Sequence, residues 1–457
     1  MGILFGTDGV RGVANSELTP ELALRLGRIA AAVLTEGWSG RGRMLVGRDT
    51  RVSGELLEAA LAAGIASTGT DVDLAGILPT PGVAYLTRAG GYCGGAVISA
   101  SHNPVGDNGV KFFGPDGFKL GDELEARIEA LTLQGDGGWR SAAADGLPRP
   151  ILGGVGRIRT LPDAAQRYVA FLVGTVAPLD LSGWRLVVDC GHGAACSVAP
   201  ETLQALGARV TVLHGEPDGL RINVDCGSTH PEVIREGVVA RQARAGFSHD
   251  GDADRVIAAD ERGGLVDGDA ILGICGLHLL RRGKLAGRTV VCTVYSNLGL
   301  QRTLARGGGR VVFTPPGDRH VLEEMRRRGL VLGGEQSGHI IFLEHTTTGD
   351  GVLAALQLLK VMHEEGKPLS ELAAQLERFP QVLVNVPLAG RDRVPPGGLE
   401  ANPRVAAALQ AARELLGDEG RLLVRPSGTE PVVRVMGEGP ERDRVEEAVR
   451  LVVETLR

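Results

Sequence analysis

A serine that directly follows an apolar stretch is the first residue whose position suggests chemistry. The apolar stretch is residues 96–98 (Ala-Val-Ile), and the serine, Ser101, lies in residues 99–104 (Ser-Ala-Ser-His-Asn-Pro). The apolar residues predict a buried strand. Ser101 would then lie at the carboxyl end of that strand, where open α/β sheets bind their ligands. Taken alone, the segment would more often be an ordinary turn, because Ser and Asn-Pro are common turn residues.

Three acidic residues at alternate positions form a second candidate site. They are Asp250, Asp252 and Asp254, and Arg255 follows them. Their carboxylates can converge on one hard cation such as Mg²⁺, and without a cation they would repel one another. The spacing is also that of an EF-hand loop with Glu261 at its twelfth position, but Arg255 stands where that loop needs glycine for its sharp turn. We therefore favour a divalent-cation site outside the EF-hand class.

Two further polar segments lie downstream. Residues 334–339 (Gly-Glu-Gln-Ser-Gly-His) offer a carboxylate, an amide, a hydroxyl and an imidazole. Residues 425–431 (Arg-Pro-Ser-Gly-Thr-Glu-Pro) combine an arginine and two hydroxyls with a glycine-containing turn, which is suited to cradle a phosphate. A nucleophile, a cation site, a polar clamp and a phosphate-binding turn together indicate phosphoryl transfer.

Phosphoryl transfer from a serine needs a cation that offsets the phosphate charge and an acid/base near the accepting hydroxyl. Lys111 could supply the second, although composition alone would favour a surface amine there. Residues 5–12 predict a glycine-rich turn that places Arg11 where it could bind a phosphate. A hydrolase dyad of Ser101 and His102 is disfavoured, because neighbours on a turn seldom face each other and no G-x-S-x-G elbow surrounds the serine.

The composition is typical of an ordered chain with several domains. Its 457 residues exceed what one hydrophobic core usually serves. A net charge of -6 and an aromatic content of 4% argue against nucleic-acid binding. The six cysteines include no C-x-x-C pair, which favours a reduced, cytosolic state and disfavours a structural zinc site. Since the chain shows neither a signal peptide nor an apolar stretch of about 20 residues, we expect a cytoplasmic protein without membrane contacts.

Alternating strand and helix signals predict an α/β protein. In the first unit they predict a mostly parallel sheet, and similar units begin near residues 185 and 288. After about residue 373 the pattern changes to that of a small α+β domain, with a helix at 403–416 and its phosphate-binding turn between two strands. The residues 135–162 read as the first connection between domains. We predict three similar mixed α/β sheet domains and a small α+β C-terminal domain, over residues 1–155, 156–260, 261–372 and 373–457.

These motifs occur in the order found in the α-D-phosphohexomutases, and the resemblance covers essentially the whole chain. The segments similar to that family are residues 7–12, 99–104, 250–255, 334–339 and 425–431. The resemblance implies that the domains surround a central cleft and that Ser101 is phosphorylated in the active enzyme. It also implies that one Mg²⁺ is held by the phosphoserine together with the three aspartates.

Within the family, residues 5–9, 226–232, 334–339 and 434–436 are most similar to the branch that acts on glucosamine phosphates. This resemblance implies the conversion of glucosamine 6-phosphate to glucosamine 1-phosphate through glucosamine 1,6-bisphosphate, which also serves as activator. The product is a precursor of UDP-N-acetylglucosamine for the cell wall. The implied partner is a small sugar phosphate, with no nucleic acid and no membrane, and the chain would be a monomer or a homodimer.

The resemblance also assigns roles to individual residues. The matching positions with acid/base or electrostatic roles are Lys111, His339 and Arg11. The positions matched to substrate binding are Glu335, Ser337, Arg255, Arg425, Ser427, Gly428 and Thr429, the last four for the distal phosphate. Three positions depart from the family pattern, namely Ala253 for a usual Gly, His320 for a usual Tyr and Gly437 for a usual Val. We expect neither Ala253 nor Gly437 to abolish activity.

Three alternatives use the same motifs. A phosphomannomutase/phosphoglucomutase of the same fold usually carries Met or another residue in place of Gln336. A metal-assisted serine phosphatase would let water attack the phosphoserine, but the loops offer neither a second cation site nor an obvious group to activate water. A sugar-phosphate binding protein would not need the nucleophile Ser101.

Overall fold

The computed structural model describes residues 4–6, 8–134, 146–387, 399–426 and 432–457. The chain divides into two compact units, Met1–Tyr295 with Gly309–Gln375 and Ser296–Gly308 with Leu376–Arg457. Ser427, Gly428 and Thr429 lie outside the described residues, so their predicted roles stay predictions. The domain boundaries stay predictions as well.

The strands of the described chain are short and are numbered in chain order. They are β1 (Phe5–Gly6), β2 (Gly9–Val13), β3 (Arg43–Arg48), β4 (Asp71–Ile77), β5 (Gly94–Ile98), β6 (Asp107–Phe113), β7 (Ile158–Thr160), β8 (Arg185–Asp189), β9 (Arg209–Leu213), β10 (Ala245–His249), β11 (Val256–Asp260), β12 (Leu265–Val266), β13 (Thr289–Thr293), β14 (Arg310–Thr314), β15 (Leu332–Gly334), β16 (Ile340–Phe342), β17 (Gln381–Pro387), β18 (Arg421–Pro426) and β19 (Val432–Glu438).

The α-helices of the same described residues alternate with these strands over most of the chain. They are α1 (Pro20–Leu34), α2 (Ser53–Ala66), α3 (Thr80–Ala89), α4 (Asp122–Leu133), α5 (Ala164–Val176), α6 (Ala195–Ala205), α7 (Pro231–Arg241), α8 (Gly268–Arg281), α9 (Leu298–Arg306), α10 (Asp318–Arg328), α11 (Gly351–Glu365), α12 (Leu369–Ala373), α13 (Pro403–Leu416) and α14 (Arg442–Leu456). Among the described residues, none of these helices combines the length and the apolarity needed to cross a bilayer.

The described strands form four sheets, and the first three mix parallel and antiparallel pairs. Their strand orders are β1-β2-β6-β5-β3-β4-β7, β12-β11-β10-β8-β9, β14-β13-β15-β16 and β17-β19-β18. In the first sheet β3 is parallel to β4 and β5, whereas β6 is antiparallel to β5 and β2. In the second, β10 is parallel to β8 and antiparallel to β11. In the third, β13 is parallel to β14 and β15, and β16 is antiparallel to β15. The predicted fold class is confirmed.

Two buried strands carry the chain to the candidate site. Every residue of β5 and of β10 is buried, as expected of strands that are covered on both faces. Residues 99–104 follow β5, and Asp250 directly follows β10. Some helix starts are fixed by a capping side chain, as where Asp350 accepts a hydrogen bond from the backbone N–H of Leu353 at the start of α11.

The amino-terminal segment differs from its prediction. A turn was expected over residues 5–12, but Phe5–Gly6 form β1 and residues 9–12 begin β2; the two strands pair antiparallel, and β2 also pairs with β6. Arg11 therefore lies on a strand. Gly9 makes this pairing possible, because it has a φ of 83° and a Cβ there would lie 2.4 Å from the carbonyl oxygen of Val110. The residues read as the first connection between domains also supply β7, which is parallel to β4.

The second unit is built on the fourth sheet, in which β19 pairs antiparallel with β17 and β18. Its core joins this sheet to α13 and α14 through apolar side chains that include Leu409, Val435 and Val449. The helix α13 has the bounds expected from the sequence. Glu438, at the end of β19, is buried and accepts hydrogen bonds from the backbone N–H of Leu298 and from Arg421. This contact joins α9 to the sheet of its own unit.

Candidate active site

Ser101 lies beside the acidic segment that the sequence analysis singled out. Its Oγ donates a hydrogen bond of 2.5 Å to Oδ2 of Asp250. Ser101 is buried and has a φ of 53°, a left-handed conformation that is uncommon for residues other than glycine. Its own N–H donates to Oγ of Ser99 at 2.9 Å. The carboxyl ends of β5 and β10 thus bring together a hydroxyl and a carboxylate that are far apart in sequence.

The three aspartates form a compact and buried cluster. One carboxylate oxygen from each of Asp250, Asp252 and Asp254 lies within 4.8 Å of the others. Oδ1 of Asp252 and Oδ1 of Asp254 are buried and have no hydrogen-bond partner among the described residues. Burial raises the pKa of Asp250 well above its ordinary value, and the charges of Asp254 and Asp252 raise it further. Buried oxygens without partners are the donors that a hard divalent cation needs, so the cluster fits Mg²⁺.

Neighbouring groups hold the aspartate loop in place. The backbone N–H of Arg255 donates to Oδ1 of Asp250 at 3.1 Å. Oγ1 of Thr80, at the start of α3, donates to Oδ2 of Asp252 at 2.6 Å. Ala253 lies in the loop with a φ of 55°, a conformation that costs a non-glycine residue about 1 kcal/mol. The usual glycine would avoid that cost, so the departure from the family pattern affects the backbone and leaves the ligating groups in place.

Lys111 is a buried cation beside the aspartates, which excludes the alternative of a surface amine. Its Nζ lies 2.9 Å from Oδ2 of Asp252, 2.9 Å from Oδ2 of Asp8 and 3.9 Å from Oδ2 of Asp254. Burial alone would lower the pKa of Lys111, but the three carboxylates outweigh burial and raise the pKa above its ordinary value. Lys111 is therefore charged at neutral pH and suited to neutralise anionic oxygens.

A second, mostly buried lysine extends this network of charges. Nζ of Lys119 donates hydrogen bonds to Asp8 and to Asp318. Burial opposes ionisation of Asp8, but Lys111 and Lys119 outweigh burial and hold the pKa of Asp8 well below its ordinary value. Oδ2 of Asp318 lies 3.6 Å from Nε2 of His339. Acidic and basic groups thus alternate from Lys111 to the imidazole.

His339 closes the network on the aspartate cluster. Its Nδ1 lies 3.5 Å from Oδ2 of Asp254, and its Nε2 accepts a hydrogen bond of 3.0 Å from the backbone N–H of Gly349. With Nε2 as the acceptor, the proton of a neutral imidazole is on Nδ1, facing Asp254. Burial lowers the pKa of His339, but Asp254 and Asp318 outweigh burial and raise it. The acid/base and electrostatic roles that the resemblance implies for His339 stay predictions.

Arg11 connects the nucleophile segment to the charge network. Its Nη1 donates to Oδ1 of Asn103 at 3.1 Å, and its Nη2 donates to Asp8. Its Nε is buried without a hydrogen-bond partner among the described residues, while about a quarter of the side chain (24%) stays exposed. The guanidinium can therefore still meet a ligand.

His102 contacts Ser101, contrary to the expectation that these neighbours would not face each other. Nδ1 of His102 lies 3.3 Å from Oγ of Ser101, and the left-handed conformation of the serine permits the contact. Burial, followed by the charges of Arg255 and Arg11, lowers the pKa of His102 to about 4. The single hydroxyl proton of Ser101 is donated to Asp250, so His102 does not accept it. The contact is therefore not a hydrolase dyad.

The predicted sugar-binding residues lie on the turn between β15 and β16. Oε1 of Glu335 accepts a hydrogen bond of 3.0 Å from the backbone N–H of Gly317, and Oγ of Ser337 lies 3.4 Å from Oε2 of Glu335. Ser337 is exposed. His320, one of the departures from the family pattern, lies on α10 and is also exposed.

The two arginines predicted to bind substrate lie in different units. Arg255 follows the aspartates, its Nε is 3.8 Å from Oδ1 of Asp254, and about a quarter of its side chain (23%) is exposed. Arg425 lies on β18 in the second unit and is paired with Arg434 of β19 in the register of the sheet.

Several residues of the site had no signal in the sequence analysis. They are Arg51, Thr80, Lys119, Asn223 and Asp318. Each stands alone in its own stretch of chain, and the contacts of Thr80 with Asp252 and of Lys119 with Asp318 join segments that are far apart in sequence. Asp8 lies within the glycine-rich segment that the sequence marked as a candidate phosphate-binding turn. Its place in the site follows only from its contacts with Lys111 and Lys119.

Comparison with known proteins gives consistent matches along the whole chain. Profiles of the phosphoglucomutase/phosphomannomutase family match residues 2–137 as alpha/beta/alpha domain I, 166–264 as domain II, 267–379 as domain III and 383–455 as the C-terminal domain. The phosphoglucosamine mutase of Desulforudis audaxviator is 56% identical over 458 residues, with 99% of this chain and 98% of that protein covered. That of Moorella thermoacetica is 56% identical and covers 98% of this chain and 97% of its own.

Solved structures share the fold at lower sequence identity. A phosphoglucomutase/phosphomannomutase family protein from Burkholderia thailandensis has a TM-score of 0.80 at 24% identity, over 98% of this chain and 96% of that one. The N-acetylphosphoglucosamine mutase of Aspergillus fumigatus, in complex with GlcNAc-6P and magnesium, has a TM-score of 0.70 at 18% identity, over 100% of this chain and 96% of that one.

Proposed function

The chain belongs to the phosphoglucomutase/phosphomannomutase family, and from this premise we propose that it is an isomerase that interconverts glucosamine 6-phosphate and glucosamine 1-phosphate. Full-length relatives that are more than half identical are named phosphoglucosamine mutases. The observation that carries the proposal is the hydrogen bond from Oγ of Ser101 to Asp250 within the buried aspartate cluster. It supports a serine that exchanges a phosphoryl group beside a cation site.

Asp250, Asp252 and Asp254, with phosphorylated Ser101, would hold one Mg²⁺. When bound, a divalent cation offsets the negative charge of a phosphoryl group in transfer. The two unpartnered carboxylate oxygens support this assignment. Lys111 adds a fixed positive charge beside the same carboxylates, which supports an electrostatic role in the transfer.

Ser101 first gives up its phosphoryl group and later receives the other one. In the first half-reaction, the bond between phosphorus and the serine oxygen breaks as a bond to the C1 hydroxyl oxygen of glucosamine 6-phosphate forms. The proton that the sugar hydroxyl loses is balanced by the proton that the serine oxygen gains. In the second half-reaction, the 6-phosphoryl group of glucosamine 1,6-bisphosphate moves to Ser101, and glucosamine 1-phosphate leaves.

The remaining site residues orient the sugar phosphate. Glu335 and Ser337 bind sugar hydroxyls, and Arg255 is exposed enough to contact substrate. Arg425, Ser427, Gly428 and Thr429 hold the phosphate that does not react. Such a division is needed because each half-reaction requires one phosphate to react and the other to fix the sugar in place. Burial of Ser101 and of the aspartates limits the access of water to the phosphoserine, which disfavours the phosphatase alternative.

Phosphorus NMR tests the proposal directly. The purified protein, with Mg²⁺ and a trace of glucosamine 1,6-bisphosphate as activator, is given glucosamine 6-phosphate, glucose 6-phosphate or mannose 6-phosphate in parallel. We expect rapid appearance of glucosamine 1-phosphate and much slower turnover of the other two sugars. Inorganic phosphate as the main product would show that the protein is a phosphatase. Faster turnover of glucose or mannose phosphate would show that it is a phosphomannomutase/phosphoglucomutase.

A further inference from the structure

We propose that Arg51 is a positioning residue, which holds the nucleophile segment, residues 101–107, in the conformation from which Ser101 exchanges its phosphoryl group. The inference rests on the proposed function and adds a residue whose hydrogen bonds go to Asp49 and to the backbone of the nucleophile segment, and not to the aspartate cluster. Arg51 precedes α2, and its side chain is fully buried, with an exposed fraction of 0%.

The guanidinium of Arg51 gathers the backbone of the nucleophile segment. Its Nε donates to Oδ2 of Asp49 at 3.0 Å. Its two terminal nitrogens donate to four backbone carbonyls, those of Ser101 at 2.9 Å, Asn103 at 2.8 Å, Pro104 at 2.5 Å and Asp107 at 3.0 Å. One planar cation therefore fixes both ends of the turn that follows β5.

The partner of Arg51 fixes the same serine from its other side. Oδ2 of Asp49 also accepts a hydrogen bond of 2.6 Å from Oγ of Ser99, and that hydroxyl oxygen accepts the N–H of Ser101 at 2.9 Å. The carbonyl oxygen of Ser101 accepts one hydrogen bond from Arg51 and another, of 2.9 Å, from the side-chain amide of Asn223. Both polar groups of the Ser101 backbone are therefore fixed by side chains.

This clamp explains how Ser101 keeps a left-handed conformation. A φ of 53° is unfavourable for a residue with a side chain, and such a conformation persists only where the surroundings determine it. It is the same conformation that directs Oγ to Asp250. Loss of the clamp would let the segment relax and would move the nucleophile away from the aspartates.

Lysine cannot replace Arg51 in this role. An arginine side chain presents five N–H donors in a fixed planar fork, whereas a lysine presents three donors on one rotatable nitrogen. The acceptors of Arg51 are spread from Asp49 to Asp107, and one ammonium cannot meet all of them. Arg51→Lys therefore keeps the charge and loses the clamp.

The test compares Arg51→Lys with a matched variant, Arg28→Lys. Arg28 is also buried in the domain that holds Ser101, but it donates to Oγ of Ser67, away from the nucleophile segment. We expect Arg51→Lys to lower kcat for glucosamine 6-phosphate on the order of 10²-fold, because a misplacement of about 1 Å has such an effect, with KM nearly unchanged. We expect Arg28→Lys to leave kcat and KM close to the wild-type values.

Hydrogen exchange supplies a readout that does not depend on turnover. We expect the amides of residues 101–109 to exchange faster in Arg51→Lys than in the wild type, while the amides of β3 and β5 stay protected. Equal protection, an unchanged kcat, or an equal loss of kcat in Arg28→Lys would overturn the proposal. If the wild-type protein had no mutase activity, the proposed function would be wrong. The hydrogen-exchange result would still decide whether Arg51 holds the nucleophile segment in place.

A second variant keeps the proposal testable if Arg51→Lys does not fold. Ser99→Ala removes the link from Asp49 to the N–H of Ser101 and leaves the guanidinium and its charge in place. We expect a smaller loss of kcat than in Arg51→Lys, again without a change in KM, and faster exchange at the amide of Ser101. Unchanged kcat and exchange in Ser99→Ala would contradict the clamp.

Discussion

Oγ of Ser101 donates a hydrogen bond of 2.5 Å to Oδ2 of Asp250, although the two residues are 149 positions apart in sequence. Each lies at the carboxyl end of a fully buried strand, β5 for the serine and β10 for the aspartate. The hydrogen bond places a nucleophile against a carboxylate whose pKa is raised by burial and by its acidic neighbours. A cation and a phosphoryl group on Ser101 would share this one location.

Ser101→Ala removes the atom that carries the phosphoryl group. We expect mutase turnover to fall on the order of 10⁴-fold or more, because Oγ of Ser101 is the hydroxyl that donates to Asp250, and among the described residues the other hydroxyl at the cluster, that of Thr80, donates to Asp252. The fold should persist, since the change removes one oxygen. The check is steady-state turnover together with mass spectrometry after incubation with glucosamine 1,6-bisphosphate. The wild type should gain one phosphoryl group and the variant none, and substantial turnover by the variant would refute the mechanism.

Removal of divalent cations should abolish turnover and lower stability together. A cation that binds only the folded protein stabilises it by about 2.7 kcal/mol at a concentration of 100 times its Kd, so Mg²⁺ should raise the Tm of the wild type. Asp254→Asn loses one ligand and should show little response to Mg²⁺. The measurement is thermal unfolding with and without Mg²⁺ after chelation. An equal rise in Tm in the variant would place the cation elsewhere.

The sequence predicts the central pair because both residues have local signals. Ser101 follows the apolar stretch 96–98, which marks the end of a buried strand, whereas Asp250 is the first of three acidic residues at alternate positions. The bounds of α13 follow in the same way from Pro403 at its start and Gly417 after its end, the positions that proline and glycine favour. The first sheet is less parallel than expected, because β1 pairs antiparallel with β2, and β6 pairs antiparallel with β2 and β5.

The clamp and the charge network could not be predicted in this way. Arg51 donates to backbone carbonyls. Every residue has a backbone carbonyl, so the sequence does not show which residues accept these hydrogen bonds. Lys119 and Asp318 are 199 residues apart, and each is one charged residue among many. These two residues matter because they are removed from solvent, and the sequence does not show which charged residues the assembled sheets will cover.

Lys119→Met should destabilise the protein more than loss of a surface charge would. The substitution leaves Asp8 and Asp318 without the cation that both of them contact, and breaking a mostly buried ion pair costs about 3–5 kcal/mol. The measurement is the free energy of unfolding in urea. As control, Lys367→Met breaks an ion pair with Glu371 in which the two side chains are 40% and 56% exposed, and it should cost less than about 1 kcal/mol. Equal losses in the two variants would show that the network contributes nothing special to stability.

Asp350 should make stability depend on pH. Burial raises its pKa from 3.8 to about 6, although the hydrogen bonds from Leu353 and Tyr168 oppose the rise. Since the folded state binds this proton more tightly than the unfolded state, the stabilising contribution is present below about pH 4 and is lost as pH rises through about 6. The loss amounts to about 3 kcal/mol.

The variant Asp350→Asn keeps a capping oxygen and cannot ionise. Its free energy of unfolding should therefore rise relative to that of the wild type between about pH 4 and pH 7. Urea unfolding across this range measures the difference, and a constant difference between the two proteins would show that Asp350 does not titrate there.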